Sequence, residues 1–202
     1  ATHHTVVLCR RMLGLIDLNN VSPVLEGYFN GKYILNTMGL SVVPPCGGVY
    51  TQNIHRDVRS FTGASKLWIN TLIMLDDSTV DNGATWMLEG SQNSSEKPSE
   101  DYFYKHAVRA TGKKGDVLLF DGNIWHAAGE NSTDQSRHII TPIYSKPFIK
   151  QQLDYPRAFG YDFGKVCSDH LRQILGYNSL VPSTLEEFYQ KDNDRFYKKD
   201  QG

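Results

Sequence analysis

Short runs of β-type residues separated by turns fill the middle of the chain, and they constrain its fold more than any other feature. From Lys32 onward these runs read YIL, VVPP, GGVYTQNIH, KLWINTLIML, ATWML, DVLLF and RHIITPIYS. The residues between them are rich in turn formers, as in the DNG triplet at 81–83 and the DG pair at 121–122. Many short strands without alternating helices indicate a mainly β fold, either a sandwich or a closed barrel-like sheet.

Helices are predicted before and after this β region. Apolar residues between positions 5 and 16 have the spacing of a partly buried helix. The pair Ser22-Pro23 is typical of a helix start, and this second helix is expected to run to about Tyr28.

The C-terminal region also has helical patterns. The segment KVCSDHLRQILGYN has helical apolar spacing, with Gly176 placed to cap its end. The sequence Ser183-Thr-Leu-Glu186 resembles a capping box that opens a last polar helix. By contrast, SQNSSEKPSED at 91–101 is predicted to be a long exposed loop, and the stretch 91–106 is a candidate lid.

The chain is predicted to be a single domain over residues 1–202, since neither an internal repeat nor a linker divides it. The β core is expected at about 33–147, with helical flanks at 5–30 and 160–200. A length of 202 residues is sufficient for a substantial buried core.

Composition excludes several classes of partner. The chain has 21 basic and 22 acidic residues, so its net charge gives no electrostatic case for nucleic acid or an anionic membrane. No apolar run approaches the ~20 residues of a membrane helix, and the N-terminal residues lack the pattern of a signal peptide. Three widely spaced cysteines do not form a disulfide framework. A reducing, cytoplasmic location is therefore expected.

Three side chains suggest a metal site. If GGVYTQNIHRD is extended, His55 and Asp57 project from the same face of a strand, although such a pair also occurs by chance on protein surfaces. His126 follows the buried-looking run DVLLF and a DG turn, and by itself it would be read as a core imidazole near Trp125. Together, however, two histidines and one carboxylate are the facial triad of non-haem Fe(II) oxygenases, in which three open positions remain for a bidentate cosubstrate and O₂.

Arg137 is the fourth element of the pattern. It opens the apolar run RHIITPIYS, where alternation places it on the same face as Ile139 and Thr141. A buried guanidinium needs an anionic partner. That partner is either an internal Asp or Glu, or the carboxylate of a ligand held in a bidentate clamp. Because Arg137 follows His126 by 11 residues, it is suitably placed to hold the far carboxylate of a short diacid bound to the metal.

The ordered set of His55, Asp57, His126 and Arg137 resembles the phytanoyl-CoA dioxygenase-like branch of the Fe(II)/2-oxoglutarate-dependent oxygenases. LDDSTVDNGATWMLEGS at 75–91 is similar to the family segment that ends in NG-x-T and a following turn. KKGDVLLFDGNIWHAAGENSTDQSR is similar to its block around the distal histidine and arginine, and SDHLRQILGY is similar to its closing helix. The resemblance covers roughly residues 33–177.

This resemblance implies a double-stranded β-helix (a cupin-like jelly roll) in which His55, Asp57 and His126 bind Fe(II). Arg137 would pair with the C5 carboxylate of the cosubstrate 2-oxoglutarate. Thr85 matches a position whose hydroxyl supports the cosubstrate. Gln52 and Asn53 lie where the family often has an amide that touches it; strand alternation favours Asn53, and a bulge would favour Gln52.

The resemblance also implies the reaction. A dioxygenase of this kind uses O₂ to hydroxylate an unactivated C–H bond of a small-molecule substrate, and it releases succinate and CO₂. A carboxylate at Asp57 favours hydroxylation, desaturation or cyclisation over halogenation. The sequence leaves the substrate and the oligomeric state open.

Two features depart from the family pattern. Its PGSH turn is Glu89-Gly-Ser-Gln92 here, so no catalytic role is expected there, and the usual N-terminal segment is short or absent. Asn70 and Thr71 are weaker pocket candidates. Three basic residues near the proposed site are read as solvated charges that could otherwise attract an anionic substrate: Arg56, Arg59 and Lys66.

Two other functions fit parts of the pattern. The same three ligands suit a cupin-like Zn or Mn metalloenzyme, although a hydrolase has no need of a diacid clamp at Arg137. A non-catalytic jelly-roll binding module would leave His55 and Asp57 as surface residues, with Arg137 in an internal ion pair.

Overall fold

The structure is a computed structural model, and it describes residues 1–201. Its residues group into two compact units, each assembled from separated stretches of the chain. The first unit contains residues 1–2 and 39–141, and the second contains residues 3–38 and 142–202. All of the candidate site residues belong to the first unit.

The described residues form eight strands and seven α-helices. The strands are β1 (Thr2–His3), β2 (Ile34–Val43), β3 (Trp68–Met74), β4 (Thr85–Met87), β5 (Val108–Ala110), β6 (Val117–Asp121), β7 (His126–Ala127) and β8 (Arg137–Ser145). The helices are α1 (Thr5–Leu8), α2 (Ser22–Phe29), α3 (Glu100–His106), α4 (Tyr155–Phe159), α5 (Phe163–Val166), α6 (Asp169–Ile174) and α7 (Leu185–Phe188). Short 3₁₀ helices lie at Arg10–Leu15, Tyr50–Gln52 and Ser91–Asn93.

The strands form two sheets. One has the order β1-β2-β8-β3-β6, and the other has the order β5-β4-β7. In the larger sheet β3 and β6 are antiparallel, with Asn70 opposite Phe120. In the smaller sheet β4 pairs with β7 so that Met87 lies opposite His126.

Within the first unit an apolar cluster joins the two sheets. Leu72, Phe120 and Ile139 come from three strands of the larger sheet, and Met87 comes from the smaller one; all four are buried. Side chains from facing sheets that interdigitate in this way are the core of a β-sandwich or jelly roll. The Phe120 ring reaches to 5.1 Å from the ring of His126, measured between centroids, so this core borders the candidate site.

A second cluster in the same unit contains Ile54, Leu88, Phe103 and Ala127. Phe103 lies on α3 and is completely buried. The prediction of a loop through residue 101, with a lid extending to 106, is therefore wrong over 100–106, where a helix packs against the sheet. The part that remains an exposed connection is 94–99.

The predicted turn at 81–83 is present and brings two backbone segments together. Gly83 has a φ of +86°, and a Cβ there would lie 2.7 Å from the carbonyl oxygen of Gly129. Its own carbonyl accepts a hydrogen bond from the Gly129 amide at 3.2 Å. A residue without a side chain is therefore required at 83.

Helices flank the β region as predicted, but they are more broken. The expected helix over 5–16 is α1 followed by a 3₁₀ turn, and the expected helix around 165–178 is α5 and α6 with a break at Cys167. Gly176 has a φ of +89°, as its predicted capping role requires.

The last predicted helix is present as α7. Its start is capped by Thr184, whose hydroxyl accepts a hydrogen bond from the amide of Glu187. No helix within residues 1–201 has the length and apolar character needed to cross a bilayer. Cys9, Cys46 and Cys167 are free thiols.

Candidate metal centre

A backbone bridge holds the two candidate histidines side by side. The amide of His55 donates to the carbonyl of His126 at 3.0 Å, and the amide of His126 donates to the carbonyl of His55 at 3.0 Å. Their rings lie 4.3 Å apart between centroids. The expectation of an extended strand over 51–57 is wrong, since a 3₁₀ turn at Tyr50–Gln52 precedes His55 and the pairing at His55 is an isolated bridge.

Both imidazoles are oriented by a second hydrogen bond. Nδ1 of His55 lies 2.7 Å from the carbonyl oxygen of Asn53, and Nδ1 of His126 lies 3.0 Å from that of Ile124. Because a carbonyl can only accept, Nδ1 carries the proton in each ring. The lone pair of Nε2 is then available, and this is the arrangement found in histidines that bind metals.

Asp57 lies against both of these nitrogens. Its Oδ1 is 3.7 Å from Nε2 of His55, and its Oδ2 is 3.6 Å from Nε2 of His126. One ligand atom from each of the three residues lies within 4.8 Å of the others. Two imidazole nitrogens and one carboxylate oxygen suit Fe(II), Mn(II) or Zn(II), so the three residues fit a divalent metal ion.

Burial keeps His126 in the state that a ligand requires. Its side chain is 8% exposed, whereas that of Asp57 is 31% exposed. Desolvation lowers the pKa of His126, partly opposed by the charge of Asp57. A lowered pKa favours the neutral imidazole, and Asp57 leaves one side of the cluster open to solvent.

Asn70 contacts the cluster more closely than its sequence pattern indicated. It is 2% exposed, and its Nδ2 donates to Oδ2 of Asp57 at 2.5 Å. Its Oδ1 is buried and has no hydrogen-bond partner within residues 1–201. A buried acceptor without a partner is costly in a folded protein, and here it lies on the side chain that touches Asp57.

Arg137 is buried, as its alternation predicted. It is 2% exposed; Nε donates to the carbonyl of Asn82 at 3.1 Å, and Nη2 donates to that of Gly83 at 2.6 Å. Among residues 1–201 no carboxylate forms an ion pair with it, so the internal salt bridge considered for Arg137 is absent from this part of the chain. Alternation along β8 places Arg137 on the same face as Ile139, which belongs to the core cluster beside His126.

The remaining predicted cosubstrate residues are placed differently from one another. Thr85 is 6% exposed on β4 and shares a strand face with Met87. Gln52 accepts a hydrogen bond from the amide of Val49 at 3.0 Å and lines a surface cavity of ≈ 350 Å³. Asn53 is exposed and donates to the carbonyl of Tyr50 at 3.0 Å. Strand alternation cannot choose between the two amides, because they belong to a turn.

Arg56 is not a solvated charge. Its guanidinium lies 4.3 Å from the ring of Trp125 and donates to the carbonyls of Ser91, Ser94 and Ser95. The hydroxyl of Ser91 in turn accepts from the amide of Trp125 at 2.9 Å. The segment that bears His55 and Asp57 is thereby tied to the turn after β4 and to the residue before His126.

Thr71 is 2% exposed, in the middle of β3, and Arg59 is exposed. Lys66 forms an ion pair with Asp121 at 3.2 Å.

The chain is similar in sequence to known proteins over most of its length. Residues 20–139 match the model of the family described as phytanoyl-CoA dioxygenase (PhyH). The chain is 34% identical over 154 residues to an uncharacterized protein of Mycobacterium tuberculosis, Rv1501, covering 76% of this chain and 56% of the relative. It is 33% identical over 189 residues to the dioxygenase andF of Emericella variicolor, covering 86% and 57%. The chain thus spans little more than half the length of these relatives.

A solved structure shares the fold. EctD from S. alaskensis, with 2-oxoglutarate and 5-hydroxyectoine, matches with a TM-score of 0.60 and 22% identity, over 71% of this chain and 55% of that one. This likeness agrees with the two packed sheets described above. The predicted fold class, a mainly β jelly roll with flanking helices, is confirmed.

Proposed function

The chain belongs to the phytanoyl-CoA dioxygenase family, and from this premise we propose that it is a non-haem Fe(II)- and 2-oxoglutarate-dependent dioxygenase acting on a small molecule. One observation carries the proposal: His55, Asp57 and His126 present three ligand atoms within 4.8 Å of one another. His126 is distant in sequence from His55 and Asp57, and the three side chains together match the donor set of the facial triad.

His55, Asp57 and His126 would hold the iron. With 2-oxoglutarate and O₂, bound Fe(II) supplies an oxidant able to attack an unactivated C–H bond, and succinate and CO₂ are the co-products. The hydrogen bonds from Nδ1 of both histidines hold the rings in place for this ion. The neighbouring apolar cluster around Phe120 excludes water from the buried side of the site.

Arg137 is proposed to bind the C5 carboxylate of 2-oxoglutarate. Support comes from its burial and from the absence of an ion-pair partner within residues 1–201. A buried guanidinium held by two backbone carbonyls still lacks the anion that would neutralise it. We propose Thr85 as a further cosubstrate contact, and Asn53 or Gln52 as the amide contact.

Hydroxylation, desaturation or cyclisation is favoured over halogenation, because Asp57 supplies the carboxylate ligand. A cytoplasmic location and a small-molecule substrate remain proposals that follow from composition and from the family.

The test is succinate formation. Purified protein incubated aerobically with 2-oxoglutarate should release succinate only when Fe(II) is added. The primary substrate is not required for this assay, because oxygenases of this kind slowly convert 2-oxoglutarate to succinate without it. Zn²⁺ in place of Fe(II) should give none. The absence of succinate with Fe(II), together with a Zn²⁺- or Mn²⁺-dependent hydrolase activity that needs no 2-oxoglutarate, would favour the cupin-like metalloenzyme instead.

A further inference from the structure

The side chain that touches the metal-site carboxylate most closely is Asn70. It lies on β3 opposite Phe120, it is 2% exposed, and its Nδ2 donates to Oδ2 of Asp57 at 2.5 Å. The orientation of this amide follows from chemistry, because the reverse orientation would place its carbonyl oxygen against a carboxylate, and both groups only accept.

The two oxygens of Asp57 are therefore not equivalent. Each oxygen faces one imidazole, Oδ1 at 3.7 Å from Nε2 of His55 and Oδ2 at 3.6 Å from Nε2 of His126. Only Oδ2 accepts the hydrogen bond from Asn70. The Asp57 side chain is 31% exposed, so its own packing does not fix its rotation. The hydrogen bond from a buried strand residue supplies that constraint.

We infer that Asn70 is a positioning residue that makes Asp57 a ligand through Oδ1 alone; this rests on the proposed function. A carboxylate that binds through both oxygens occupies two coordination positions, and a facial triad must leave three positions for a bidentate cosubstrate and O₂. The hydrogen bond from Asn70 takes one lone pair of Oδ2 and makes it the poorer ligand, and this would keep the third position open. Groups that orient metal ligands in this way commonly change metal affinity when they are replaced.

The other end of the Asn70 amide supports this role. The side-chain Oδ1 of Asn70 is buried and has no hydrogen-bond partner within residues 1–201. A hydrogen bond to this oxygen therefore does not account for an amide side chain buried in the middle of a strand. The contact with Asp57 gives the amide its function.

The test compares Asn70→Leu with the wild-type chain. Mn²⁺ is titrated calorimetrically into the metal-free protein, and 2-oxoglutarate is then titrated at saturating Mn²⁺. We expect the dissociation constant for Mn²⁺ to rise about 10–100-fold. We also expect weaker binding of 2-oxoglutarate at saturating Mn²⁺, because the freed Oδ2 competes for its coordination position.

Asn36→Leu is the matched control. Asn36 is a fully buried strand asparagine whose Oδ1 also lacks a partner within residues 1–201, and its Nδ2 donates to Ser145 and Lys150 rather than to the triad. Its replacement should lower the Tm of the metal-free protein and leave both dissociation constants unchanged.

Wild-type constants in a folded Asn70→Leu protein would overturn the inference, and so would an equal loss in the Asn36 control. If Asn70→Leu does not fold, Asn70→Ala, which removes the amide without adding volume or a new donor, is measured in the same way. Succinate release by the wild-type chain decides the proposed function separately. A wild type that releases succinate while its Asn70 variants bind Mn²⁺ normally refutes only the role of Asn70.

Discussion

Arg137 carries a positive charge in a place that offers it little compensation. It is 2% exposed, and burial, reinforced by nearby Arg109 and only partly opposed by the charge of Asp76, lowers the pKa of Arg137 to about 10. The guanidinium therefore stays protonated at neutral pH, with two backbone carbonyls as hydrogen-bond partners. A ligand carboxylate would supply the missing counter-charge, so the cost of burying this residue is offset when ligand binds.

Replacing Arg137 should therefore affect ligand binding more than folding. Arg137→Leu removes a cation without leaving a carboxylate unpaired, and the Gly83 carbonyl keeps its bond from Gly129. We expect 2-oxoglutarate binding to Mn²⁺-loaded protein, measured by calorimetry, to weaken about 100-fold or more, the equivalent of two charged hydrogen bonds. Arg137→Lys, which keeps the charge without the planar fork, should lose less. Unchanged affinity in Arg137→Leu would contradict the clamp.

Residue types and spacing were sufficient to nominate His55, Asp57 and His126 as candidate metal ligands, and the structure brings their ligand atoms within 4.8 Å of one another; they also nominated Arg137, which is buried. They could not nominate Arg56 as a structural residue or rank Asn70 above its neighbours. The contact of Asn70 with Asp57 spans 13 positions and that of Arg56 with Ser91 spans 35. Side-chain partners this far apart depend on how the strands are arranged in space, which local patterns do not encode.

At the scale of elements, His55 and Asp57 follow irregular backbone and do not lie in the strand that was predicted over 51–57. The chain there forms a 3₁₀ turn and then one bridge from His55 to His126. The residues still converge because that single bridge places His55 beside β7. The alternation of residue types along a strand cannot predict a turn followed by an isolated bridge, because the bridge depends on the position of the partner strand.

Helix α3 could have been predicted. Ser99 accepts from the amide of Tyr102 as an N-cap, Glu100 and Asp101 lie in the first turn, and Lys105 lies in the last. These are ordinary helix signals. The polar stretch before these residues contains a proline and is typical of a loop, so the predicted loop extends over the start of the helix.

The turn after β4 depends on Arg56. In Arg56→Ala the carbonyls of Ser94 and Ser95 lose their side-chain donor, and that of Ser91 keeps only the bond from the Ser94 amide. Trp125 also loses a stacked cation. We expect the hydrogen-bonded amides of this stretch, those of Ser91, Asn93 and Ser94, to exchange hydrogen with solvent about 10-fold faster or more, as local openings become less costly. Hydrogen exchange read by mass spectrometry measures this.

Exposed Arg59 provides the control for that experiment, and Arg59→Ala should leave exchange in 91–99 unchanged. Equal protection of these amides in Arg56→Ala and wild type would show that the turn is held by other contacts.

On the scale of the whole molecule, the two compact units raise the question of cooperativity. Strands β2 and β8 each contain residues of both units. The single domain expected over residues 1–202 remains a prediction, and it requires both units to unfold together.

Urea unfolding can follow the units separately. All three tryptophans, at 68, 86 and 125, belong to the first unit, while six of the seven described helices lie in the second. Tryptophan fluorescence therefore reports on the first unit, and the helical signal in far-UV circular dichroism reports mainly on the second. If the chain is a single cooperative domain, the two signals should give the same urea midpoint. Two separated midpoints would show two independently folding parts.

The central claim is that His55, Asp57 and His126 bind one metal ion that also receives 2-oxoglutarate. Anaerobic calorimetric titration of Fe(II) into the metal-free chain, with and without 2-oxoglutarate, tests it most directly. We predict one Fe(II) per chain, tighter binding when 2-oxoglutarate is present, and loss of both in a folded His126→Ala variant. Fe(II) binding that His126→Ala leaves intact, or the absence of stoichiometric binding by the wild type, would contradict it.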